Sequence, residues 1–328
     1  LKKVQFILLL VVMCFLIAYA TYTKLSESYR FSYEPNGRFQ TYILTQKEPP
    51  RQLFFAGEEI PLQDRQVARR LQKEMQVHAY YNNSMALMLD RAAYWLPQFD
   101  PILKQYGVPR DFRYLVVVES MLTNVESPRG AAGYWQILPN TGQTFGLEIN
   151  EEVDERYHPI KATHAACKYL KQSHRTFGNW TNVAASYNAG IGGVLQAIKR
   201  QGKDSFYKLQ LNGETSRYLF KISAFKQLIE HPKEFGYRRT NGKNVRKPVK
   251  RIKVTESIED LAEFAARQGI TLALLKQYNP WLLQNSLTIK EPGKTYVLDI
   301  PPPPPVVEKP ADEEYPELST MDSVSTNQ

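Results

Sequence analysis

A chain of 328 residues with 43% hydrophobic content can bury a full core and has room for one medium domain plus a small one. Its two cysteines, Cys14 and Cys167, exclude a disulfide framework, because Cys14 lies in a segment that reads as an export signal or anchor and leaves Cys167 without an intrachain partner. The net charge of +9 suits nucleic acid, an anionic membrane or an anionic wall polymer, and export speaks against nucleic acid as the partner.

In chain order, Lys2-Lys3, the apolar stretch Val4 to Ile17 and Ala18-Tyr19-Ala20 have the three regions of a secretory signal, with cleavage expected before Thr21. An uncleaved anchor, giving membrane association through residues 1–20, is the alternative. Either way the lysines ahead of the apolar segment orient the remainder outside. Residues 21–63 mix Tyr, Ser, Gln and Pro without sustained periodicity and predict an extended leader. From Asp64 the pattern turns helical: Val67, Leu71 and Met75, then Met85, Leu87, Met88 and Leu89, recur as core stripes.

Pro97 and Pro101 punctuate the next stretch, and Gly107-Val108-Pro109 breaks it before a helix with Asp111 in its first turn. The run Leu115-Val116-Val117-Val118 suits a buried helix or a buried strand, and it delivers Glu119 and Ser120 to a place where water is scarce. Burial disfavours the charged form of a carboxyl and raises its pKa, as a general acid working near neutral pH requires. Helices are expected over 159–177, 183–201 and 216–230, with a helix-breaking turn at Gly190-Ile191-Gly192-Gly193. Residues 238–251 form an uninterrupted basic stretch and predict a solvated linker. Residues 252–300 read as strand, helix, helix, strand, and the proline run and acidic tail of residues 301–328 predict disorder.

Four segments follow one another in a telling order: Glu119-Ser120, Gly133-Tyr134-Trp135-Gln136, Ser186-Tyr187-Asn188-Ala189-Gly190, and Glu214-Thr215-Ser216-Arg217-Tyr218. Together they resemble the catalytic domain of lytic murein transglycosylases with a soluble-lysozyme-like (SLT) fold, most closely the membrane-bound type D group. The resemblance runs over about residues 96–236 and tips the Glu119 segment to a helix. It implies a mostly α fold, a lysozyme-like helical domain over 64–237, followed by a small module. That module, with Gly269-Ile270-Thr271 and Tyr278-Asn279-Pro280, resembles a LysM glycan-binding domain, but has Glu256-Ser257 where the usual Gly-Asp loop stands. A module of this kind adds avidity for the wall, not chemistry.

The family resemblance implies cleavage of the β-1,4 bond between N-acetylmuramic acid and N-acetylglucosamine in peptidoglycan glycan strands, with formation of a 1,6-anhydro ring. Glu119 is then first acid and afterwards base. Ser120 either positions Glu119 or the substrate acetamido group, or bonds its own backbone. Trp135 offers a sugar-stacking surface beside the Gln136 amide, with Tyr134 in the same motif, and Gly130 to Gly133 would let the main chain approach the glycan. Tyr187 and Asn188 are polar groups in an apolar run that must find partners, and in the family they line the cleft while Tyr218 faces Glu119. A hydrolase needs a second carboxylate. Glu126, Glu148 and Asp154 are available for that role, each in a polar context that predicts a solvated surface position. A silent peptidoglycan-binding protein and a lysozyme-type hydrolase remain as alternatives. No cofactor is implied, and the five His residues lack metal-ligand spacing.

Overall fold

The computed structural model describes residues 13, 17, 29–33, 39–43, 50–78, 83–238, 240–243 and 245–304. Most of the signal or anchor segment, much of the expected leader and the tail from residue 305 lie outside the described residues. Among the described residues no helix is long and apolar enough to cross a membrane.

Two short hairpins come first. β1 (Tyr29–Tyr33) pairs antiparallel with β2 (Phe39–Ile43), and β3 (Phe54–Phe55) with β4 (Glu58–Glu59). Ala56 and Gly57 between β3 and β4 have φ of 55° and 82°, the mirror-image turn that matches strand twist in a tight hairpin. This second hairpin corrects the leader expected up to residue 63. Leu53, Phe55 and Ile60 are buried in the main core, Ala56 N–H donates to Asp111 Oδ2 at 2.8 Å, and Lys226 Nζ donates to the Phe54 carbonyl at 3.0 Å. The Glu58 carboxylate accepts the Trp180 and Thr181 N–H groups, so a residue before the first long helix neutralises a distant helix end.

α1 (Arg65–His78) buries Val67, Leu71 and Met75 as its periodicity predicts. α2 (Asn83–Gln105) runs through Pro97 and Pro101, which the sequence suggested as breaks. Packing overrides the local preference there, since Trp95, Leu96, Phe99, Ile102 and Leu103 of this helix all belong to the core. A 3₁₀ turn (Arg110–Tyr114) leads into α3 (Leu115–Ser120), whose Leu115, Val116 and Val117 are fully enclosed. After it come α4 (Pro139–Thr144), α5 (Pro159–Phe177), α6 (Trp180–Ala189), α7 (Ile191–Gln201) and α8 (Gly213–Glu230). The expected helix over 183–201 is two helices parted at Gly190 (φ 76°, ψ 152°), while Gly192 and Gly193 continue inside α7. α8 is buried around much of its circumference because it runs through the core, with α1, α3 and α6 against it.

The C-terminal module is a βααβ unit: β5 (Lys250–Val254), α9 (Leu261–Arg267), α10 (Leu272–Tyr278) and β6 (Tyr296–Ile300), the strands antiparallel with Lys250 opposite Ile300. Asp260 and Thr271 cap its two helices. Leu261, Leu275, Leu287, Leu298 and Trp281 form a second core. The stretch before it is not simply solvated. Thr240 bonds Asp90, Gly242 sits so close to α2 that a Cβ would fall 2.6 Å from Tyr94 N, and Arg246 pairs with Asp299 at 3.0 Å while lying over Trp95 and Tyr278. The basic run of charge is thus partly spent on docking the module.

Candidate active site

α3 stops abruptly. Met121 and Leu122 follow it with φ of 52° and 57°, two consecutive side-chain-bearing residues in the left-handed region. Such strain persists only where the surroundings over-determine it, and it clusters at functional sites. The turn ends the helix just after Glu119 and leaves that carboxyl at the rim of the core, where it is partly buried.

Tyr218, from the first half of α8, donates its hydroxyl to Glu119 Oε1. Burial pushes the Glu119 carboxyl up to about 7; the Tyr218 hydroxyl opposes the rise, the nearby charge of Glu214 adds to it, and Lys221 counters it. Tyr187 and Tyr218 are themselves held neutral, their pKa values driven upward chiefly by burial and then by the charge on Glu119. The group is therefore a carboxyl raised into the neutral range by burial and gripped by a neutral donor.

The loop between α3 and α4 supplies the facing wall. Ser120 Oγ donates to the Val116 carbonyl at 3.2 Å and the Tyr134 carbonyl at 2.8 Å, so its proton serves the main chain and ties the helix to the loop. Tyr187 O–H donates to the Trp135 carbonyl at 2.7 Å. Gln136, at φ 48°, turns its amide back onto the Val125 and Gly133 carbonyls at 2.9 and 2.8 Å. Asn188, one position before the end of α6, donates to Glu214 Oε1 at 3.0 Å and accepts from Thr215 Oγ1 at 2.7 Å. A cavity of about 280 Å³ opens beside these groups, lined by Gln136, Leu138, Thr141, Tyr169, Tyr187 and Asn188.

Glu119, Tyr187 and Tyr218 thus come together, Gln136 and Asn188 share the cavity with Tyr187, and Ser120 ties α3 to the loop from within the main chain. Three residues of the expected set have different places. The Tyr134 ring lies against Trp95 in a separate hollow with Arg246 and Tyr278, and only its carbonyl meets Ser120. Trp135 is 0% exposed; its indole N–H bonds Thr163 Oγ1 at 2.8 Å and its rings pack on Phe99 and Tyr187. It is a core residue and offers no face to a sugar, because its large apolar surface gains more from enclosure than a groove wall would give it. Gly133 is required by a close approach, but to protein: a Cβ there would lie 1.9 Å from the Arg156 carbonyl oxygen. Asp154, read as solvated, is buried in an ion pair with Arg156 at 2.6 Å, whereas Glu126 is exposed as expected and Glu148 is bound by Lys294 and Tyr296.

Glu214 is the residue that sequence reasoning passed over. It stands in the quoted motif, in the first turn of α8, four residues before Tyr218 and so on the same helix face, and that spacing is the signal that could have connected it to Glu119. The Asn188 bond and its charge at Glu119 show the connection directly. Among the described residues no group of three or more His, Cys, Asp and Glu is arranged to hold a metal ion.

Residues 99–210 match the transglycosylase SLT domain family, and residues 250–303 match the soluble lytic transglycosylase C-terminal LysM-like domain. The chain accordingly carries a mostly helical SLT transglycosylase domain with a LysM-like domain behind it. Among curated proteins it is similar to membrane-bound lytic murein transglycosylase D of Escherichia coli K12, with 30% identity over 254 residues that cover 74% of this chain and 54% of the relative. The same protein of Escherichia coli O6:H1, strain CFT073, matches with the same figures. The chain spans about half the length of these curated relatives. Among solved structures, an inactive mutant of the lytic transglycosylase Slt from Pseudomonas aeruginosa aligns with a TM-score of 0.35 and 17% identity, over 53% of this chain and 34% of that one. The 70 kDa soluble lytic transglycosylase Slt70 of Escherichia coli aligns with a TM-score of 0.37 and 17% identity, over 58% and 39%.

Proposed function

We propose that this chain is a peptidoglycan lytic transglycosylase that cleaves the bond between N-acetylmuramic acid and N-acetylglucosamine without adding water. The observation that carries the reading is Glu119, a single carboxyl raised to about 7 and held by Tyr218, with Tyr187 linking it to a mostly apolar cavity that Gln136 and Asn188 also line. With its pKa raised into the neutral range, it can give its proton to the leaving glycosidic oxygen and, once ionised, take one back.

In that sequence the Glu119 proton goes to the departing oxygen as the C1–O bond breaks, and the substrate's own acetamido oxygen closes on C1. The Glu119 carboxylate then removes the proton of the C6 hydroxyl, whose oxygen displaces the acetamido oxygen to form the 1,6-anhydro ring. Atoms balance with no water consumed, and Glu119 ends protonated as it began. Tyr218 donates to the carboxylate while it is charged and keeps it aimed. Asn188 and Gln136 line the cavity, where the Gln136 amide oxygen and the Asn188 amide capacity not used on Glu214 and Thr215 read acetamido and hydroxyl groups, with Tyr187 in the wall beside them. Glu214 orients Asn188 and is occupied in doing so, which favours a one-carboxyl mechanism over a two-carboxylate hydrolase.

The enzyme works in the cell envelope, with residues 1–20 directing it there as signal or anchor. Intact-mass measurement of the envelope form distinguishes a chain beginning at Thr21 from one retaining the apolar segment. The activity itself is tested by digesting purified peptidoglycan and weighing the muropeptides. Products ending in 1,6-anhydromuramic acid, one water lighter than those of a muramidase, are expected. Reducing ends would make the protein a hydrolase, and no soluble product a silent wall-binding protein.

A further inference from the structure

The LysM-like module does not hang from the helical domain; it is built into the support of the cleft. Val153, 1% exposed, lies in the helical part of the chain but belongs to the module's apolar core. Around it the two parts pair like strands: Asp154 N–H donates to the Trp281 carbonyl at 2.9 Å, and Leu283 N–H to the Glu152 carbonyl at 2.8 Å. The Glu152 carboxylate accepts Ser286 Oγ–H at 2.9 Å and both the N–H and hydroxyl of Thr288 at 3.0 Å.

From this seam a rigid path leads inward. The Asp154 side chain holds Arg156 through Nε and Nη2, and both residues are more than nine-tenths buried. Arg156 Nη1 donates onward to the Gly130 carbonyl at 2.6 Å and the Ile137 carbonyl at 3.2 Å, the two ends of the loop that carries Gly133 to Gln136. That loop offers its Tyr134 carbonyl to Ser120 and its Trp135 carbonyl to Tyr187. A buried ion pair gains little net stability over an apolar pair, so its retention calls for another use, and a planar guanidinium tying two loop ends in fixed geometry is one.

We propose that the docked module positions the cleft loop through Asp154 and Arg156, so that docking governs turnover at Glu119 and not only retention on the wall. The inference rests on reading that site as a transglycosylase site. Arg156 is a positioning residue: it meets the loop from behind and acts through Tyr134, Trp135 and Gln136. Displacing catalytic geometry by about 1 Å costs on the order of a hundredfold in rate, so a loosened loop should be visible in kcat.

The test uses the full chain on soluble glycan fragments, with release of anhydro ends as the readout and amide hydrogen exchange over residues 281–288 reporting docking. Glu152→Ala removes the seam's acceptor, and Val153→Asp places a charge in the module core. Both are expected to release those amides and to lower kcat about tenfold or more while KM moves little, and Glu152→Gln, which keeps one acceptor oxygen, to restore most of the rate. Arg156→Lys keeps the charge beside Asp154 but cannot span both carbonyls, so it should lower kcat with the module still docked and protected. A module acting only as a tether would leave kcat on soluble fragments unchanged in Arg156→Lys and in whichever seam variant exchanges freely, and that result overturns the proposal. Absence of anhydro products from the unmodified protein would instead overturn the transglycosylase reading, leaving the two failures distinguishable.

Discussion

Tyr218 donates its hydroxyl to Oε1 of Glu119 across 99 residues of sequence, joining α8 to the end of α3. A buried phenol beside a carboxyl stays neutral and serves as a donor, and the bond favours the ionised carboxylate. Tyr218→Phe keeps the ring and deletes the donor. Cleavage should fall about ten- to a hundredfold, the worth of a hydrogen bond to a charged group, and the alkaline limb of the pH-rate profile should move upward. A profile unmoved by the substitution would show that the bond does not reach the reacting carboxyl.

Glu119→Gln retains size and hydrogen bonding and removes proton transfer, so cleavage should drop by about a hundred- to ten-thousand-fold with folding intact. The same substitution has a stability signature of definite sign. Because the folded-state pKa of Glu119 is raised from 4.5 to about 7, the native protein binds more protons than the unfolded chain in that window, and wild-type stability falls as pH rises through it. Glu119→Gln should therefore melt like the wild type at pH 4 and above it at pH 8, by on the order of 2 kcal/mol. Paired thermal melts at the two pH values decide the matter.

Glu214 raises the Glu119 pKa by its charge while accepting from Asn188. Glu214→Gln keeps an acceptor for Asn188 and removes the charge. The alkaline limb should shift to lower pH, opposite in direction to Tyr218→Phe, with a smaller loss of kcat. A limb that moved up, or a loss as deep as that of Glu119→Gln, would assign Glu214 a proton-transfer role instead.

Trp135 is expected to report on stability and not on sugar affinity. Trp135→Ala empties a fully enclosed site and removes the donor to Thr163, whose hydroxyl keeps its bond to the Pro159 carbonyl, for a loss of about 3–5 kcal/mol. Urea midpoints of Trp135→Ala and Trp135→Phe should both fall, the second less. A variant of full stability with a raised KM would return the indole to the groove.

How much of this was legible beforehand can be followed residue by residue. α5 and α10 begin and end where periodicity and their Pro, Gly and Asn punctuation place them. The apolar run before Glu119 announces a buried carboxyl, and burial is indeed the first cause of its raised pKa. These are local signals, carried by neighbours within a few turns. The order of the four segments adds the family, and with it the expectation that Tyr218 meets Glu119.

What the tertiary structure alone decided are the pairings between distant parts. Nothing near Glu58 in sequence says that it will cap α6, 122 residues away. The hairpin over residues 54–59 lacks periodicity because its strands are two residues long, yet core contacts hold it. Trp135 looks like a sugar platform until Phe99, Thr163 and Tyr187 close over it. Asp154 looks solvated until the module covers it and Arg156 bonds it. Sequence determined which side chains seek burial and which helices carry them, since hydrophobic periodicity is a property of one segment. The fold determined which polar groups are left to face the cleft, because that depends on which other surfaces use up their hydrogen bonds and area first.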